Sequence, residues 1–325
     1  MKKYLFKSLQ FISVLALSLI IIGFVLPYNK DGYIRAQKFK MDKLADSRRK
    51  PTIVLLGGSN AAFGYDTKLL NDSLKMPVFN AGLHAGLGMK FFLDDTSQYL
   101  KKGDVLVFSP EYDQFYGNLN DGQSEMTDAF YLYHCHYPGE MSYKQIIGVI
   151  QNTPSYLRKK IEYNLFVLAH LKTDPVYTLS SINKYGDVTW HWYHTKAHGA
   201  PDGCGLDCRS GAFNESAFTY LVAKLNELKH KGVTIVMYPA AFEQDAFKGS
   251  VKNIKYISKR LRLAGFPYIC APRECSFPRN DFYDTNYHLN HQGALLHNKQ
   301  LIKTLKKLNI NINESISNKY ILWIW

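Results

Sequence analysis

The stretch IVLLGGSNAAFG (residues 53–64) places four apolar residues ahead of Gly57, Gly58 and Ser59. A short apolar run bounded by Pro51 and glycines is the pattern of a strand covered on both faces, as in a parallel sheet. Working outward, DTKLLNDSL (66–74) reads as a helix capped by Asp66, and MPVFNAG (76–82) as a second strand. MKFFLDDTSQYLKKG (89–103) reads as a helix stopping at Gly103, and DVLVFSP (104–110) as a third strand. Alternation resumes after residue 214, with helices at 215–232, 251–265 and 293–308 and strands at 233–240 and 267–270. Strand and helix in alternation predict an α/β domain whose parallel sheet carries helices on both faces.

Between these halves the alternation fails. Residues 111–214 hold one long helical stretch, interrupted at Pro154, and an aromatic, Gly-rich segment. Long irregular segments inside a domain are usually functional, so an insertion at about 115–214 is expected to lid or extend the site.

Upstream, FISVLALSLIIIGFVLPY is an apolar run of near-bilayer length preceded by Lys2, Lys3 and Lys7. No A-x-A-like site follows it, so residues 1–28 are read as an uncleaved transmembrane anchor rather than a cleaved signal sequence. Residues 29–50 are polar and basic and read as a stalk near the membrane, 51–310 as the α/β domain, and 311–325 as a tail. The YILWIW of that tail reads as an extra strand or core plug ahead of a membrane-surface contact. A single-pass protein with its domain in the periplasm or outside the cell is expected. The formal charge of +13 suits an anionic envelope, and export, with no zinc-finger or helix-turn-helix pattern, argues against nucleic acid.

Of the five cysteines, Cys204 and Cys208 lie close in sequence, as do Cys270 and Cys275, and Cys135 is left over. Outside the cytoplasm the two pairs are permitted disulfides, within each pair or across them, ahead of a zinc site.

A serine is a poor nucleophile unless a base takes its proton, and the usual base is a histidine held by a carboxylate. Ser59 stands at the carboxyl end of the first strand, where open parallel sheets place their sites. A glycine-rich turn closed by a capping serine is the plainer alternative. NAGLHAGLG (80–88) follows the second strand and can offer a backbone N–H to an oxyanion. In DFYDTNYHLNHQGA (281–294), Asp284 and His288 are four apart, with His291 a rival base and Asp281 a rival carboxylate.

The order and spacing of these three blocks resemble the SGNH (GDSL-like) hydrolase superfamily over about residues 50–310. The apolar N-terminus, SPEYDQFYG and FYDTNYHLN are more similar to its membrane-anchored, DltD-like and alginate-acetylation branches. Those are envelope proteins that work beside a membrane-bound O-acyltransferase. The resemblance implies a three-layer α/β/α, flavodoxin-like fold and a serine esterase or O-acyltransferase acting on an acyl, most simply acetyl, ester of an envelope glycan. It implies Ser59 as nucleophile, His288 as base, Asp284 as its orienting carboxylate and Gly86 as oxyanion donor, with Ala85 or Gly82 as alternatives. It also implies an acylated donor, a glycan acceptor, a membrane-bound acyltransferase partner, and no metal or cofactor. A non-catalytic glycan-binding or assembly partner of that acyltransferase is the alternative. Two departures bear on the chemistry. The family's third block is G-x-N-D, and Tyr112 falls about where its Asn would be; three residues rather than two separate Asp284 from His288.

His191, His194 and His198 in WHWYHTKAHG have a spacing that suits a metal, and Trp190 and Trp192 beside them suit a sugar platform. Packing is the plainer expectation for them and for HCH (134–136), and KRLRL (259–263) reads as a solvated helix face.

Overall fold

The computed structural model describes residues 2–46, 49–133, 141–169, 174–193, 205–206 and 211–308. Cys135, Cys204, Cys208, His194, His198, HCH (134–136) and the tail 311–325 lie outside the described residues.

Strands β1 (Ile53–Gly57), β2 (Val78–Asn80), β3 (Val105–Ser109) and β4 (Thr234–Met237) form a parallel sheet in the order β2-β1-β3-β4. The register sets Ile53 opposite Val78 on one side and Val105 on the other. A short parallel pair, β5 (Phe242–Glu243) with β6 (Ser276–Phe277), stands apart from it. The strand expected at 267–270 reduces to one bridge, Met237 with Tyr268, because Pro267 lacks an N–H and the chain turns through Pro272–Cys275 soon after.

The helices are α1 (Lys2–Ile20), α2 (Ala36–Ala45), α3 (Ser59–Gly64), α4 (Thr67–Ser73), α5 (Gly88–Ser97) and α6 (Ser124–Leu132). Then come α7 (Tyr143–Leu168), α8 (Glu215–His230), α9 (Gln244–Lys248), α10 (Val251–Leu263) and α11 (His291–Lys307). Alternate residues of the strands face opposite sides, so the sheet has two cores. Val54, Leu56, Leu106 and Phe108 pack with Phe92 of α5, Leu221 and Leu225 of α8, and Ile257 of α10. Leu55, Val105 and Val107 pack with Leu70 of α4 and with Ala294 and Leu301 of α11. Helices therefore cover both faces, as the apolar strands require.

Capping follows the sequence closely. Asp66 accepts the Leu69 N–H at the start of α4, and Asn290 accepts the Gly293 N–H at the start of α11. Helix α5 ends at Ser97 rather than Gly103; Gly103, at φ +89°, forms the turn into β3.

Two expectations are corrected. Residues 29–50 are no stalk, because Tyr33, Ile34, Met41 and Leu44 are buried in the same core as β1 and β3. Lys40, fully buried, donates to the carbonyls of Asn80 (3.1 Å), Gly82 and Gly186 (2.6 Å), and Gln37 donates to Asp95 (2.5 Å). Pro154 does not interrupt the long helix, and α7 runs through it. Packing on both sides of the proline holds the two halves in line: Tyr156 stacks on Tyr131 at 4.3 Å, and Asn152 donates to the Gly122 carbonyl.

Residues 2–25 are long and apolar enough to cross a membrane, and no residue of α1 is buried.

Candidate active site

Ser59 opens α3 directly after β1, and its side chain lies beside the loop that leaves β3. The two glycines before it are there for space. A Cβ on Gly57 would sit 2.4 Å from the Ser109 carbonyl oxygen, and one on Gly58 would sit 2.6 Å from Glu111 Oε1. Both strand ends can thus close around the serine. Ser59 Oγ donates to Glu111 Oε1 (3.0 Å), and the Asn60 N–H donates to the same oxygen (3.0 Å). Asn60 also donates from its side-chain amide to the Ser109 carbonyl (2.9 Å), tying α3 to β3.

The His288 and Asp284 side chains meet with Nδ1 2.7 Å from Oδ1. The three intervening residues are no obstacle, because they curl into a turn: Thr285 Oγ1 accepts the N–H groups of Tyr287 and His288, and the Tyr283 N–H closes on the His288 carbonyl. Tyr177 donates to the other oxygen of Asp284. Burial alone would raise the Asp284 pKa, but hydrogen bonds from His288 and Tyr177 outweigh it and hold the group below its ordinary value. With Nδ1 committed to the carboxylate, Nε2 is the nitrogen left for a proton transfer. The imidazole is buried and stacks on Phe63 of α3, centroids 4.1 Å apart and planes at 9°. One turn of α3 thus carries both Ser59 and the ring on which His288 rests.

Glu111 is the residue that the motif comparison missed. Tyr112, expected in the Asn position, is fully buried and turned into the core with its ring edge-on to Phe242. The preceding residue reaches Ser59 instead, and the signal was a lone glutamate closing an apolar strand. Burial raises the Glu111 pKa; the Asn60 N–H, the nearby His288 and the Ser59 hydroxyl pull it partly back. The Ser59 hydroxyl itself is bonded to Glu111 and not to His288.

Among the expected oxyanion donors, the Gly86 N–H is taken by His84 Nδ1 (3.1 Å) and the Gly82 N–H by Asn80 Oδ1 (3.0 Å). The Ala85 N–H has no acceptor among the described residues, and a Cβ on Gly58 would lie 2.9 Å from Ala85 Cβ. Of these three amides, Ala85 is therefore the one left without an acceptor, in a loop that packs against Gly58. A Cβ on Gly86 would meet the Glu125 carboxylate at 2.3 Å, the end of a flexible side chain that would have to move aside.

The rivals fall away. His291 stacks on Trp192 at 4.3 Å and faces Asp66 at 3.6 Å, and Asp281 makes its backbone bond to Asn290 rather than holding a histidine. His191 is fully buried, bonds the Leu289 carbonyl at 3.0 Å, and burial pushes its pKa down to about 4, as the packing expectation requires. Among the described residues no cluster of three His, Cys, Asp or Glu could hold a metal. Cys270 and Cys275 are free thiols rather than a disulfide, hydrogen-bonded to each other with sulfurs 3.9 Å apart.

Neither the protein-family models nor the curated proteins include a match to this chain.

Proposed function

We propose that this chain is a membrane-anchored serine esterase or O-acyltransferase of the SGNH type, with a doubly wound three-layer domain held in the periplasm or outside the cell. The observation that carries the reading is the His288–Asp284 pair, 2.7 Å apart, resting on the same short helix that opens with Ser59 at the carboxyl end of β1. Ser59 turns from Glu111 toward His288, and its Oγ attacks the carbonyl carbon of an acyl ester as His288 Nε2 takes the proton. The Ala85 N–H faces the developing oxyanion. The ester C–O bond breaks, His288 returns the proton to the departing alcohol, and an acyl-Ser59 remains. A glycan hydroxyl, deprotonated by His288, then attacks that acyl group and releases Ser59; water in its place gives hydrolysis. The donor is an acylated envelope molecule, most simply acetylated, and the partner is a membrane-bound O-acyltransferase. No metal or cofactor takes part.

The test uses the full chain in detergent with a fluorophosphonate probe and p-nitrophenyl acetate. Labelling is expected in the parent, lost in S59A and H288A, and slowed about 10⁴-fold in D284N, as the same change does to a serine protease triad. Equal labelling in all four proteins sinks the reading. A glycan acceptor added afterwards separates transfer from hydrolysis. One observation favours a non-catalytic glycan-binding or assembly role: the Ser59 hydroxyl is donated to Glu111. Parent protein that neither labels nor turns over ester, yet binds glycan, would establish that role.

A further inference from the structure

Helix α7 carries an apolar stripe that, among the described residues, is left largely exposed, with Leu157 partly covered by Gly23. Tyr143, Ile146, Ile150, Pro154, Leu157, Ile161, Leu165 and Leu168 recur at intervals of three and four. At 3.6 residues per turn they share a face about 100° wide along about 39 Å of helix. Tyr143 is 77% exposed, Ile150 64%, Leu165 59% and Leu168 76%. A stripe of this length is not left in water by an ordinary domain.

The stripe lies against the place where the apolar N-terminal helix meets the domain. The π-helical turn Ile21–Val25 ends the run, and its Gly23 backs onto Leu157. Lys160 donates to the Gly23 carbonyl (2.8 Å), Asn164 to the Pro27 carbonyl (2.8 Å), and Tyr28 packs edge-on to Tyr156 at 5.5 Å. The crossing is thus fixed by charge-assisted and amide hydrogen bonds. Exposed apolar residues stand on both sides of it, Ile150 before and Ile161 and Leu165 after. The far flank carries Lys144, Arg158 and Glu162, the polar face an interfacial helix needs.

We propose that α7 is an interfacial helix, its stripe seated in the lipid of the same leaflet from which α1 emerges. This rests on the reading that residues 2–25 span the bilayer. A single span would leave the domain free to swivel; a second, lateral contact fixes which side of the domain faces the membrane.

The test places the full chain in phosphatidylcholine vesicles with and without brominated acyl chains, which quench tryptophan at membrane depth. The emission added by I150W and by L165W is expected to fall several-fold more in brominated lipid than that added by E162W, on the polar flank. Aqueous iodide should give the reverse order, and a melting curve matching the parent shows that each variant is folded. If I150W and L165W are quenched no more than E162W while alkaline carbonate leaves the chain in the vesicles, the stripe is covered by protein, and the proposal falls with the anchor intact. If carbonate extracts the chain, the anchor itself fails and takes the proposal with it.

Discussion

Burial and hydrogen bonding pull the Glu111 carboxyl in opposite directions, and burial wins. Its folded pKa lies above the ordinary glutamate value despite the donors from Asn60 and Ser59. The sign of the consequence follows. A carboxyl raised on folding contributes stability that is full below its unfolded pKa and is lost as pH rises through the folded one. At neutral pH the parent therefore lacks stability it has in acid, because burial disfavours the ionised form that the unfolded chain carries there. Glu111→Gln keeps the shape and an acceptor oxygen for Ser59 and Asn60 without the charge. Thermal melts should show the variant more stable than the parent at pH 7, with the gap closing below about pH 4, where glutamate is protonated in either state. A parent more stable than the variant at pH 7 would refute this account of Glu111. The residue was hard to find in sequence because its role depends on position rather than pattern. Ser59, Asp284 and His288 stood in recognisable local blocks, whereas Glu111 matters only because Gly58 lacks the side chain that would displace it.

Between elements, the contacts that set the site are long in sequence and were correspondingly illegible. Apolar runs and caps announced β1, β3, α4 and α11. Nothing local in residues 33–45 says that they belong to the core, since their charge and polarity read as solvated. The structure resolves the conflict through Lys40. Its ammonium has three N–H groups and meets three carbonyls, those of Asn80, Gly82 and Gly186. Burial pushes its pKa down, and the buried Asp187 pulls it back. Asp187 in turn accepts from Thr67 and from Asn80 at 2.9 Å, so α2, α4 and the loop after β2 are clamped together beside Ala85. Lys40→Met leaves three buried carbonyls without donors, each a cost of about 1–3 kcal/mol, partly offset by the methionine's own burial. Urea unfolding of the full chain in detergent should show a loss of at least about 2 kcal/mol. A change within about 0.5 kcal/mol, the scale of an ordinary surface substitution, would mean that the clamp is dispensable.

For the whole molecule, the apolar N-terminal helix and the α/β domain are not separable where the composition changes. The shift from basic to apolar at Pro51 suggests a boundary, and the sheet does begin there. The core begins earlier, because the chain leaving α1 folds back across the sheet's helices before entering β1. Tyr33, Ile34, Met41 and Leu44 are each at most 7% exposed. Burying such side chains is worth about 1.5–3 kcal/mol apiece, about 6–12 kcal/mol for the four. Domains of this kind are stable by only about 5–15 kcal/mol in total, so the segment carries a large share of the margin. It also brings Tyr33, whose hydroxyl donates to the Leu83 carbonyl at 2.8 Å within the loop that presents Ala85. A chain beginning at residue 27 should therefore fold, with a cooperative urea transition, and keep any labelling of Ser59. One beginning at residue 51 loses the four side chains and the Lys40 clamp together. It should aggregate or melt without cooperativity, although the whole sheet and the Ser59, Asp284 and His288 positions are present. Circular dichroism and urea titration of the two proteins side by side decide the matter. If the shorter chain unfolds cooperatively with a midpoint near that of the longer one, residues 27–50 are a tether after all, and the site is built by the sheet alone.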